Sequence, residues 1–165
     1  MRTLYYLPLY HTKADLPRSD IKSLPKSYWR IVEEIWDLID SGFSSFEIPY
    51  KNLRIYGDTQ IRSDDIMREA YRRHAKWGGR SARLVLKLLK RGGVLRKTES
   101  APLLILPETT KNTRARDHFM AKRINRTLPK NGTGILLLGI DHGTYFKRFL
   151  ARDIRVINLF SLWRS

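Results

Sequence analysis

Two of the four histidines stand in the same kind of place. His11 follows the aromatic and aliphatic run TLYYLPLY at residues 3–10, and His142 follows the aliphatic run GILLLGI at residues 134–140. An imidazole at the carboxyl end of a strand can exchange protons near neutral pH or ligate a divalent metal. The pair therefore reads as acid and base or as metal ligands, with Asp15, Glu47, Asp117 or Asp141 as carboxylate partners. The competing reading is a histidine that only caps its strand by hydrogen bonding to a loop. His74 is flanked by Arg72, Arg73 and Lys76 and reads as surface. His118 stands beside Asp117 on a basic segment and ranks below His11 and His142.

Residues 113–128 carry Arg114, Arg116, Lys122, Arg123 and Arg126. At about 100° per residue, Arg116 and Arg123 fall within one helical face together with Asp117 and Met120. An arginine there suits bidentate binding of a phosphate or carboxylate, which makes Arg116 and Arg123 candidates for substrate binding and Asp117 the candidate that orients a histidine. The alternative is a pair of salt bridges from Arg116 and Asp117 to the sheet edge. Other chemistries are excluded. The chain has no cysteine, hence no disulfide, thiolate metal site or cysteine nucleophile. Neither a G-x-x-x-x-G-K-[ST] phosphate loop nor an H-E-x-x-H zinc motif occurs, and GTGILLLG at 132–139 forms a strand instead of opening a helix.

The elements that must position these residues follow from periodicity. Tyr28, Ile31, Val32, Ile35, Trp36 and Ile39 recur at helical spacing, with acids between them and Gly42 as a stop. Residues 64–77 form a helix with acids in its first turn and bases in its last, and residues 81–90 form another that closes at Gly92 and Gly93. Residues 46–50 and 52–56 read as short extended pieces, and residues 94–110 are ambiguous, with 103–106 either a short strand or a helical turn. The run at 134–140 is that of a parallel strand buried on both faces. A short helix over 144–151 and a strand over 154–160 follow it. Strand, helix, strand implies a right-handed crossover, and so an α/β fold, a mainly parallel sheet covered by helices, built as one domain over residues 1–165.

Length and composition agree with that expectation. At 165 residues, with 42% hydrophobic and 29% charged residues, the chain matches a single folded domain rather than a disordered or fibrous one. No apolar run approaches the length needed to cross a bilayer and the first residues make a poor signal peptide, so a cytoplasmic location is expected. The outlier is a net charge of +16. Residues 1–61 hold equal numbers of acids and bases, whereas residues 62–97 and 111–130 carry nearly the whole excess. Such a field attracts polyanions, so an anionic ligand or nucleic acid is the expected partner, with Tyr71, Trp77 and Phe119 available to stack on bases. Solubility alone, or an acidic protein partner, would also account for a basic face.

The segments LPLYHTKAD, YKNLRIYGD, RDHFMAKRIN and LLLGIDHGTYFKRF resemble a small family of uncharacterised prokaryotic proteins with H-T-x-A-D near the start and R-D-x-x-x-A-x-R-I-N and G-x-x-H near the end. A more distant similarity is to TraB, Tiki and ChaN-type proteins, whose early and late strands both end in G-x-x-H and whose Tiki members are metal-dependent proteases. Gly139 to His142 matches the late motif, while Pro8 stands where the early glycine would be. The resemblance implies a site at His11, Arg116, Asp117, Asn125 and His142. Taken together, the expectation is a hydrolase, metal-dependent or not, with His11, His142 and Asp117 catalytic, Arg116, Arg123 and Asn125 binding an anionic substrate, and His11 and His142 as the metal ligands. A nucleic-acid- or nucleotide-binding module without catalysis is the alternative.

Overall fold

The computed structural model describes residues 1–45 and 47–165. In chain order the elements are β1 (Arg2–Leu9), α1 (Arg18–Ser23), α2 (Lys26–Ser45), β2 (Arg54–Gly57), α3 (Asp65–Lys76), α4 (Arg80–Lys90), β3 (Val94–Leu95), α5 (Ala101–Leu104), α6 (Thr110–Thr127), β4 (Thr133–Gly139), β5 (Ile154–Asn158) and α7 (Leu159–Trp163). Short 3-10 turns cover Ile140–His142 and Tyr145–Phe149. The strands form one parallel sheet in the order β3-β2-β4-β1-β5, so the expected α/β fold is the observed one.

β4 is buried from Gly134 to Gly139 because both of its faces are covered. Side chains alternate along a strand, and the two sets enter different cores. Ile135 and Leu137 pack with Val32, Trp36, Ile39 and Phe43 of α2 and with Leu84, Val85 and Leu88 of α4. Leu136 and Leu138 pack with Met120 and Ile124 of α6 and with Phe146. The α2 stripe runs at four, three and four residues, which keeps it on one side of the helix. Pro8 is tolerated inside β1 because pairing with β5 covers Arg2 to Tyr6 and stops before it, so the missing N–H falls beyond that ladder.

Several boundaries differ from expectation. Residues 103–106 belong to neither a strand nor a buried turn as a whole: α5 is a single turn ending at Leu104, and Ile105 and Leu106 are exposed. The segment at 144–151 is a 3-10 turn, and 154–160 splits into β5 and α7 where Asn158 caps the new helix by accepting from the Phe160 N–H at 3.0 Å. The extended piece expected at 46–50 begins at Phe46, outside the described residues, and 47–50 form no strand. Among the described residues no helix is long and apolar enough to cross a membrane.

The topology decides where a crevice opens. β1 and β2 lead into helices on the face covered by α2 and α4, whereas β4, which lies between them, leads into turns on the α6 face. The chain therefore parts over the carboxyl end of β4, the arrangement that in open α/β sheets makes a ligand crevice.

Candidate functional site

Three strand ends contribute to that crevice: Asp58 follows β2, His11 lies two residues beyond β1, and His142 closes the 3-10 turn after β4. Gly143 then takes φ +61, a left-handed conformation that favours glycine and turns the chain away directly after the imidazole. Its carbonyl accepts from the Tyr6 hydroxyl at 3.0 Å, which ties the loop to β1. The His142 ring is buried. Its Nδ1 lies 2.6 Å from Asp117 Oδ1, and because an ionised carboxylate only accepts, Nδ1 carries the proton and donates it. The other nitrogen, Nε2, lies 3.7 Å from Asp58 Oδ2. Asp58 is itself held, its Oδ2 accepting from the Gly139 N–H at 3.0 Å. A Cβ at Gly139 would come within 2.9 Å of that oxygen, so glycine is what lets the carboxylate approach.

Asp117 occupies a core position. It shares the buried stripe of α6 with Met120, Ala121 and Ile124, which places a carboxylate where helical register calls for an apolar side chain. Its Oδ1 meets the histidine, and its Oδ2 is buried with no partner. A carboxylate so enclosed is held by one strong hydrogen bond and little else.

Arg116, the neighbour of Asp117, is tied to the protein through two of its nitrogens. Its Nε donates to Glu99 Oε1 at 2.7 Å, a second bond runs from its Nη2 to the same oxygen, and Nη2 also donates to the Asp58 carbonyl at 3.3 Å. The Glu99 side chain is completely buried, and burial raises its pKa above the ordinary value despite the opposing pull of Arg116. Glu99 is fixed in turn by its N–H, which donates to the Gln60 carbonyl at 3.0 Å, while the Gln60 amide donates to the carbonyls of Ile55 and Arg96. Arg116 thus commits Nε and Nη2 to an internal ion pair and to the Asp58 backbone, in line with the salt-bridge alternative, while its side chain also lines the polar cavity at this end of the sheet.

His11 and His142 both line a cavity of about 550 Å³, together with Asp58, Arg114, Asp141 and Tyr145. His11 is exposed at its edge and His142 buried in its wall. The first turn of the 18-residue helix α6 enters the same cavity through Thr109, Thr110 and Thr113, with the Thr109 hydroxyl capping the helix by accepting from the Asn112 N–H at 3.1 Å. Arg114, stacked over the Tyr145 ring at 4.9 Å, brings a cation to this end. A helix N-terminus beside a guanidinium suits an anionic group.

The remaining candidates lie elsewhere. Arg123 stacks on Phe119 at 5.4 Å, and Asn125 donates to the Phe149 carbonyl and accepts from the Ala151 N–H, each at 2.8 Å, so both act on the α6 packing and do not line the cavity. Glu47 is exposed in a separate groove with Pro49 and Tyr50. Asp15 accepts from the Thr12 N–H at 2.7 Å and pairs with His74 at 2.6 Å, which makes His74 a half-buried partner and not a surface residue. Of the aromatics expected to stack, Trp77 alone is well exposed, at 74%, whereas Tyr71 packs against the core and Phe119 is covered by Arg123. The sequence reading missed Asp58 and Glu99. Asp58 had a usable signal, since it follows the strand-ending Gly57 much as the His142 turn follows Gly139.

The metal reading fares differently. Among the described residues no group of three or more histidine, aspartate or glutamate side chains is arranged to hold a metal ion. His142 has Nδ1 on Asp117 and one ring nitrogen, Nε2, left, and His11 is the other imidazole on this end of the sheet. Among the described residues these two imidazoles are not joined by a third side chain that would complete a ligand set. The likeness to the motif families rests on the quoted segments alone. No family model matches the chain, and no curated protein or solved structure matches it, so its chemistry has to be read from the residues that converge on the end of β4.

Proposed function

We propose that the protein is a hydrolase in which His142 is the acid and base, Asp117 orients it, and an anionic group of the substrate is held at the start of α6 by Arg114. The observation that carries this reading is the buried Asp117–His142 pair at 2.6 Å in the wall of an open polar cavity. With the Nδ1 proton donated to Asp117, Nε2 is the nitrogen left to work. It takes a proton from a water molecule as the water oxygen bonds to the electrophilic carbon or phosphorus. The bond to the leaving oxygen, or in a peptide the leaving nitrogen, then breaks, and that atom receives the proton from Nε2. Asp58, near Nε2, stabilises the imidazolium between the two transfers, and Arg116 and Glu99 keep the Asp58 backbone in place.

The test is turnover of a panel of phosphoesters, carboxylic esters and peptides by wild type, His142→Ala and Arg114→Ala. Loss of one positioned acid–base group lowers kcat by about 10²- to 10⁴-fold, and Arg114→Ala should act mainly on KM. Equal activity of His142→Ala and wild type on every accepted substrate ends the assignment.

One observation favours a second reading, nucleic-acid binding. The exposed Trp77 at the end of α3 stands beside the basic residues Arg72, Arg73 and Lys76, an arrangement suited to stacking on a base while bases nearby contact phosphates. Affinity for single-stranded nucleic acid would then fall steeply with salt and with Trp77→Ala. Absence of binding at low salt removes it.

A further inference from the structure

Across Gly139 from the polar cavity lies a second one of about 360 Å³, walled by Leu9, Leu137, Met67, Ala70, Ala82 and Val85. The two share His11, Asp58, Thr59 and Gly139, so they are lobes of one cleft on either side of the end of β4. This follows from the topology. The connections after β1 and β2 pass to one face and that after β4 to the other, leaving a lobe under each.

The lobes differ in chemistry. The first holds the His142 pair, Arg114 and the start of α6. The second, between the sheet and helices α3 and α4, is mainly apolar, with Tyr10, Tyr71 and Gln60 also in its wall, and Asp15 and His74 at its edge bond each other at 2.6 Å. Away from the rim it shares with the first lobe, where His11 and Asp58 stand, it offers a ligand mainly apolar contact. A flat ring system gains most from such a space, because it buries large area while losing few rotamers. The lobes meet at Gly139, where the Asp58 carboxylate lies against the glycine and His11 and Thr59 complete the shared rim, so a ligand that spans both runs past these side chains.

We infer that the substrate is bipartite: an anionic group bound at the start of α6 is joined through the scissile bond to a flat apolar ring seated between α3 and α4. This rests on the hydrolase reading for the bond that is cut, but the two-lobed binding stands apart from turnover. Aryl phosphoesters are the simplest molecules of this class.

Calorimetric titration with inorganic phosphate and with 1-naphthyl phosphate tests it. The naphthyl ester should bind about 10- to 100-fold more tightly than phosphate alone. Ala70→Phe, which fills the second lobe from an exposed helix position, should erase that difference and leave phosphate binding unchanged. In wild type the ring protons should show nuclear Overhauser transfer to the Met67 methyl group, a readout that needs no variant. Equal affinity of the two probes, failure of both to bind at millimolar concentration, an unchanged preference in Ala70→Phe, or no transfer to Met67 overturns the inference. A His142→Ala protein as active as wild type would end the hydrolase reading while leaving this binding result intact.

Discussion

The molecule contains two aspartate–histidine pairs of the same length in different surroundings. Asp117 and His142 meet at 2.6 Å with side chains 1% and 6% exposed, whereas Asp15 and His74 meet at 2.6 Å with 9% and 37% exposed. The first joins the inner face of α6 to the exit of β4, and the second joins a surface turn to the outer end of α3. Water screens the second pair and competes for its hydrogen bond. In the first, Asp117 has no other partner and the only hydrogen bond to the ring is its own, so the carboxylate dictates the tautomer and direction of the ring. Geometry alone would rank the pairs equal. Burial, and the polar cavity beyond Nε2, separate them.

The comparison sharpens most under Asp117→Asn. A buried amide can present N–H to Nδ1 and move the ring proton to Nε2, removing the base. Turnover should fall on the order of 10³-fold with a change in the pH–rate profile and little loss of Tm. A fall in Tm with an unaltered profile would make Asp117 a packing residue only. The corresponding Asp15→Asn change should lower turnover less than about tenfold, within the range of a second-hand positioning effect.

Next in size is Arg116→Ala. It leaves Glu99 enclosed without its cation, and removal of one member of a buried ion pair costs about 3–5 kcal/mol in urea unfolding. Glu99→Gln reads the same pair through pH. Because burial raises the Glu99 pKa, the folded state holds a proton that the unfolded state has already released, so this group's contribution to stability declines as pH rises from about 4.5 through the raised folded value. The glutamine variant should show a flatter stability profile in that window; an unchanged slope would remove Glu99 as its source. The smallest effect is expected from His74→Ala. Its partly wet hydrogen bond to Asp15 should contribute about 1 kcal/mol or less, and a larger loss in thermal unfolding would mean that the two pairs are alike in weight after all.

Much of this was legible in residue order. The uninterrupted run at 134–140 identifies the central strand, since only cover on both faces requires so many consecutive aliphatic side chains. His142 followed from its place after that strand. The buried stripe of α6 carries Asp117 along with Met120 and Ile124, and a carboxylate in an apolar register is visible in residue order alone. What stayed hidden depends on contacts between distant segments. Glu99 falls in a stretch with no periodicity, and nothing local says that it faces Arg116, 17 residues on. β3 has two residues, too few for any pattern. His74 looked solvated because its sequence neighbours are arginines, yet its ring turns inward to an aspartate 59 positions earlier.

The place of β4 in the sheet bears on how the chain assembles. As the polypeptide leaves a ribosome, β1 and β2 emerge well before residues 133–139, and the edges that each will share with β4 stay without a partner until then. Parallel pairing over so long a separation is slow to close. Until that segment is made, the nascent protein carries two strand edges without the neighbour they will share, and its insertion between them supplies aliphatic side chains to both cores at once.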